Sequence, residues 1–210
     1  MKLQLSLDFI ELEDAFKLLN DISEYVDLIE IGTPFLINNG ARVIDLFKKK
    51  YENPVLADAK IIDGGYKEAL KLFDFGADII TVLSHSSIKT VEDLSRAATE
   101  RNKSFMIDLI NDEIESEKIN SLEKLSPEYL CVHTANDLKD KKNPFEDLQR
   151  IKMIIKDTEV AVAGGLNLGN LPSIIELKPD LLIIGGAITN SDNPVKTIDE
   201  IKELMNNGNK

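Results

Sequence analysis

The sequence predicts an α/β protein, a compact (β/α)8 TIM barrel built from residues 1–210 as one domain. Two patterns alternate from end to end: short β-rich apolar runs and longer amphipathic segments, eight of each. No Ser/Pro-rich linker, low-complexity tract or composition break divides them. Such alternation implies parallel strands joined by crossover helices. Eight units in 210 residues is about 26 per unit, which a closed barrel accommodates economically. An open doubly wound sheet is the competing arrangement.

The predicted strands are 2–8, 27–32, 54–60, 78–83, 104–110, 129–134, 159–165 and 181–188. The first amphipathic segment, 11–23, carries Leu12, Ala15, Phe16, Leu19 and Ile22 on one stripe at helical spacing. The pattern recurs at 36–49, 65–75, 88–101, 112–125, 144–155, 168–177 and 194–205. Successive strand residues face opposite sides. In the first strand Leu3, Leu5 and Leu7 suit packing under helices, which turns Gln4, Ser6 and Asp8 inward. In the third, Val55, Ala57 and Ala59 face one way and Leu56, Asp58 and Lys60 the other.

Composition narrows the function. At 43% hydrophobic and 30% charged, the chain has an ordinary soluble composition. Its length allows roughly 70% of the unfolded surface to be buried. A net charge of −12 argues against a nucleic-acid or anionic-membrane partner, both of which need a basic footprint. One cysteine permits no intrachain disulfide. Asp8 and Glu11 interrupt any signal-peptide core, and the longest uncharged stretch, 160–175, is broken by glycines and Pro172. A soluble cytoplasmic protein is the expectation.

The strand ends carry the chemistry, because a barrel enzyme places its site at the C-terminal mouth. Asp8, Glu30, Asp58, Lys60, Asp108 and His133 all fall there. Charged groups ending apolar strands cost desolvation unless they pair or face a cavity. The run Asp58, Ala59, Lys60, Ile61, Ile62, Asp63 is the sharpest feature: Asp58 and Lys60 share a face, and Asp63 lies past the strand end. Acids flanking a lysine hold it as an ammonium. Gly164 with Gly165, and Gly185 with Gly186, fall in the loops after strands seven and eight, where a phosphate commonly sits. Glu30 and Asp58, on neighbouring strands, make a plausible Mg²⁺ pair. His133 suits proton transfer. A Cys131–His133 nucleophilic pair is the weaker alternative, since Cys is more often a small buried hydrophobe. His85 receives no role.

These residues resemble the 3-hexulose-6-phosphate synthase family, within the orotidine-monophosphate-decarboxylase-like barrel group. The matching stretches are LQLSLD (3–8), EIGTPFLI (30–37), LADAKIIDGGY (56–66), GADIITVL (76–83), CVHT (131–134), VAVAGG (160–165) and IIGGAIT (183–189). The 3-keto-L-gulonate-6-phosphate decarboxylase family is similar in the same regions. It usually carries an Arg after strand eight, in a G-R-S-I-like run where Gly185, Gly186, Ala187 and Ile188 stand here, and another three residues after the strand-six His, where Asn136 stands. Both departures favour the synthase. The run Leu83, Ser84, His85, Ser86 and Ser87 departs from the Gly- and Asp-containing loop of the synthase pattern.

The resemblance implies an aldol condensation of formaldehyde with D-ribulose 5-phosphate through an enediolate. Mg²⁺ would bind Glu30 and Asp58, Lys60 would add positive charge, and His133 would move a proton. Asp8 and Asp108 would bond sugar hydroxyls, and the four glycines would cradle the phosphate. Asp63 would enter the neighbouring subunit's site, which implies a homodimer. The alternatives are the decarboxylase and a non-catalytic sugar-phosphate-binding protein.

Overall fold

In the computed structural model, which describes residues 1–138 and 144–208, eight strands form a closed barrel in sequence order. They are β1 (Lys2–Leu7), β2 (Leu28–Ile31), β3 (Val55–Ile61), β4 (Ile79–Leu83), β5 (Ser104–Asp108), β6 (Tyr129–His133), β7 (Glu159–Ala163) and β8 (Leu181–Ile184). Every neighbouring pair is parallel, and β8 closes on β1 through Lys2 opposite Leu181 and Leu5 opposite Ile184. The open-sheet alternative is excluded by that closure.

The period-two alternation sorts each strand between two cores. Leu3, Leu5 and Leu7, all fully buried, join the layer between barrel and helices. The inward set at the lower half of the barrel is a separate apolar plug that includes Leu28, Leu56, Ile79, Met106, Tyr129, Leu181 and Ile183. Burying each large side chain contributes about 1.5–3 kcal/mol. Cys131 belongs to this plug, and burial raises its thiol pKa well above the usual value.

The helices follow the stripes. In α1 (Leu12–Ile22) the buried positions are Ala15, Leu19 and Ile22, with Phe16 stacked on Phe47 at 5.0 Å. The segment expected as one helix over 36–49 is two, α2 (Thr33–Asn39) and α3 (Arg42–Lys50). Gly40 breaks it, at φ +69°, a conformation that ends a helix and favours glycine. After α4 (Gly65–Asp74) comes α5 (Ile88–Arg101), capped where Ser87 Oγ accepts the Thr90 N–H at 3.1 Å. A Cβ on Gly65 would stand 2.2 Å from the Thr90 carbonyl oxygen, so this residue lets α4 approach α5 closely.

α6 (Ser116–Glu123) is shorter than the expected 112–125, because Asp112 is engaged in the loop before it. α7 (Phe145–Ile154) and α8 (Leu171–Glu176) follow. The strand expected over 181–188 ends at Ile184, and Gly186–Thr189 forms a short helix, α9. α10 (Pro194–Asn207) closes the described chain, capped by Asn193 Oδ1 on the Lys196 N–H at 3.1 Å. No described helix is long and apolar enough to cross a membrane.

Candidate active site

The inward alternation continues above the apolar plug and changes chemistry there. Glu30, Asp58 and Asp108, each less than a tenth exposed, enter the barrel mouth from β2, β3 and β5. Lys60 bridges two of them. Its ammonium lies 3.1 Å from Asp58 Oδ1 and 2.8 Å from Asp108 Oδ2. His133, at the end of β6, places Nδ1 3.0 and 3.1 Å from the two oxygens of Asp108. One connected array, Asp58–Lys60–Asp108–His133, thus crosses the mouth from β3 to β6.

A local irregularity aims the lysine. The pairing of β3 with β4 shifts register between Ala57 and Ile61, and Lys60 sits at φ +46°. A bulge re-aims a side chain, and a left-handed non-glycine residue costs of order 1–3 kcal/mol. Thr81, inward-facing on β4, anchors the bulge: its Oγ1 accepts the Lys60 N–H at 2.9 Å and donates to Asp58 Oδ1 at 2.8 Å. Thr33 Oγ1 donates to Asp58 Oδ2 at 2.8 Å.

Electrostatics divides the carboxylates. Burial pushes Asp108 up, but the hydrogen bond and charge of His133, with Lys60, pull it down to about 2. Burial works against the Lys60 ammonium, yet Asp58 and Asp108 hold its pKa well above the usual value. Glu30 has no such partner. Burial, then the charges of Asp58 and Asp8, raise it to about 8, against the opposing Gln4 bond and Lys60 charge. Asp8 is raised by burial, against its bond from Ser6 Oγ at 3.1 Å. An uncompensated acid beside two others is a place where a cation gains most.

Asp8 lies between two glycines. A Cβ on Gly32 would stand 2.2 Å from Asp8 Oδ1, and one on Gly185 would stand 3.3 Å from Asp8 Oδ2. Gly164 adopts φ +92°, and a Cβ there would stand 2.0 Å from the Thr134 carbonyl oxygen. Packing therefore requires Gly164 whatever the ligand. Gly165 is also left-handed, at φ +67°. Gly186 begins α9. These glycines line the β7 and β8 side of the mouth, opposite β3 and β4 in the closed order.

Asp63 is the predicted site residue that the fold leaves apart from the charged array. It lies beyond β3, exposed, with Oδ1 accepting the Gly64 N–H at 2.7 Å. The divergent loop after β4 has its own network. Ser84 Oγ donates to Asp112 Oδ2 at 2.5 Å, the Lys118 ammonium pairs with the same oxygen, and His85 Nε2 lies 3.9 Å from Asp112 Oδ1. The side chain of Asn136 lies outside the described residues. Sequence reasoning missed Thr33, Thr81 and Asp112. Thr81 was findable, since it holds an inward position on β4.

A cleft of about 770 Å³ at the opposite rim is lined by Glu123, Lys124, Lys156 and Glu159 among others. Its central acid is already used: Glu123 Oε1 accepts the N–H groups of Lys156, Asp157 and Thr158. The mouth, with its crowded acids, is the candidate site.

The family described as Orotidine 5'-phosphate decarboxylase / HUMPS matches residues 1–201. The chain belongs to this family. Among curated relatives, 3-hexulose-6-phosphate synthase of Bacillus subtilis (strain 168) is 39% identical over 210 residues, spanning 99% of this chain and 100% of the relative. The enzyme of the same name from Staphylococcus aureus (strain USA300) is 36% identical over 207 residues, spanning 98% and 99%. The crystal structure of 3-hexulose-6-phosphate synthase from Salmonella typhimurium superposes with a TM-score of 0.95 at 37% identity, covering 99% of this chain and all (100%) of that one. The crystal structure of KGPDC from Streptococcus mutans shares the fold at a TM-score of 0.89 and 22% identity. That match covers 98% of this chain and 97% of the other.

Proposed function

We propose that this protein is a 3-hexulose-6-phosphate synthase, an aldolase-type lyase that joins formaldehyde to C1 of D-ribulose 5-phosphate. The Asp58–Lys60–Asp108–His133 array carries the reading, because it sets a fixed positive charge and a proton carrier side by side. The choice of reaction within the family follows the relatives of that name at 39% and 37% identity.

The ionised Asp108 keeps a proton on His133 Nδ1, which leaves Nε2 as the atom that exchanges protons. Nε2 takes the proton from C1 of the ketose and later returns it to the oxygen of the added carbon. Negative charge develops meanwhile on the enediolate oxygens. Lys60, held as an ammonium, faces that charge from a fixed position. Asp8 and Asp108 accept hydrogen bonds from sugar hydroxyls. Gly164, Gly165, Gly185 and Gly186 receive the phosphate, so that the sugar spans the mouth toward β3–β5.

Mg²⁺ fits this residue set. Glu30 and Asp58 would hold it, and water and substrate oxygens would complete the shell, as is usual for this ion. The fit rests on the donor set: Glu30 and Asp58 are buried carboxylates on neighbouring strands, and Glu30 meets one hydrogen-bond donor, Gln4 Nε2, among the described residues. A bound Mg²⁺ would supply further positive charge beside the enediolate oxygens. Asp63 would act in a neighbouring copy's site within a homodimer; Ile62 beside it is 53% exposed, an apolar surface for such a contact. We also place the protein in the cytoplasm, as its composition suggested.

The test is consumption of formaldehyde with ribulose 5-phosphate, with and without a chelator. A rate that chelation abolishes and Mg²⁺ restores is expected. Loss of CO₂ from 3-keto-L-gulonate 6-phosphate, with no use of formaldehyde, would replace this reading with the decarboxylase. Mixing Asp63→Ala and Lys60→Ala subunits tests the dimer: mixed pairs should regain one intact site.

A further inference from the structure

Gln4 sits on β1 two inward positions below Asp8, in a layer where it does not belong by polarity. It is fully buried. Its register partners are Leu28 on β2 and Ile183 on β8, both members of the apolar plug. An amide in such surroundings costs desolvation that an isosteric hydrophobe would not. Its Nε2 donates to Glu30 Oε2 at 2.5 Å, while its Oε1 is buried and meets no donor.

The orphaned oxygen follows from what Nε2 does. Turning the amide over would set Oε1 against a carboxylate oxygen, acceptor against acceptor. In the observed orientation the amide donates and the Glu30 oxygen accepts. The other carboxylate oxygen, Glu30 Oε1, has no hydrogen-bond partner among the described residues. One oxygen is thus clamped from below and the other left open.

We propose that Gln4 is a positioning residue for divalent-cation binding, clamping Glu30 Oε2 so that Oε1 is presented to the ion. This rests on the metal site proposed above. Groups that orient a ligand from behind are commonly worth 10–100-fold in metal affinity. A purely structural role makes a different prediction: Gln4→Met, which takes away the donor to Glu30 Oε2 along with the orphaned Oε1, would then change stability and leave the affinity for the ion alone.

The test uses the full chain, without substrate, titrated with Mn²⁺ by calorimetry and followed by electron paramagnetic resonance. Gln4→Met should weaken Mn²⁺ binding ~10-fold or more while the circular dichroism spectrum stays that of the folded wild type. Gln4→Leu should do the same, and serves if the Met variant does not fold. Wild-type affinity in either folded variant, with Glu30→Gln abolishing binding, overturns this inference and leaves the metal site standing. A wild-type chain that binds no Mn²⁺ overturns both.

Discussion

At the N-terminal rim of the barrel, Asp27, Asp78 and Asp180 each accept the backbone N–H of a neighbouring strand. The donors are Leu3, Val55 and Val160, at 2.8, 2.9 and 2.8 Å. Asp78 also pairs with Lys48 and Lys103, at 2.9 and 2.6 Å, and these bonds pull its pKa down despite burial. At the C-terminal rim Asp8, Glu30, Asp58 and Asp108 crowd one another, and Lys60 and His133 partner only some of them. Glu30 is pushed up to about 8 and Asp8 upward, while Asp108 falls to about 2. The same residue type closes the fold at one rim and is held under electrostatic tension at the other. Acids with donors around them stabilise; acids left facing one another are suited to a ligand.

Four substitutions test that division. Lys60→Ala should cut turnover about 10²–10³-fold with circular dichroism unchanged; a wild-type rate would remove Lys60 from the reaction. Asp108→Asn leaves Lys60 and His133 short of their shared acid and should destabilise by about 3 kcal/mol. Its sign with pH is fixed. A carboxyl lowered from 3.8 to about 2 adds stability above its unfolded pKa, lost as pH falls through the folded value. Wild-type and variant denaturant midpoints should therefore converge between pH 4 and pH 2, as judged from that same shift.

At the other rim, Asp78→Ala should lose about 2 kcal/mol, the scale of a charge-assisted hydrogen bond, and lower the Tm by roughly 4–8 °C. Its kcat should stay at the wild-type level; a large loss of turnover would break the separation of rims. The smallest effect has the opposite direction. Glu30 is raised from 4.5 to about 8, so its contribution is fully present below its unfolded pKa and is lost as pH rises through the folded one. Glu30→Gln should therefore raise the Tm by about 2–4 °C per kcal/mol relieved near pH 8, where its activity is lost. A lower Tm there would mean that Glu30 is structural.

Much of the mouth was legible before folding. Asp8, Glu30, Asp58, Lys60, Asp108 and His133 follow from alternation along strands and from their position at strand ends. What alternation does not carry is who bonds to whom. Asp27 and Asp78 began predicted strands without a role, because accepting the N–H of a residue 24 or 23 positions away depends on strand neighbours. Thr33 and Thr81 meet at Asp58 only because β2, β3 and β4 lie side by side. The break at Gly40 and the helix at Gly186–Thr189 were missed because glycine serves turns, helix ends and close approaches alike.

By itself the sequence determined the order and number of the strands, the two faces of each strand and the polarity of the barrel's interior. Those are local properties: side-chain period, helix stripe and the cost of burying charge. Tertiary structure decided which acids are paired, how the bulge aims Lys60, and which oxygen of Glu30 stays open. Each depends on ångström distances between chain segments that only barrel closure brings together. A carboxylate's chemistry is set by its donors, and its donors here come from other strands.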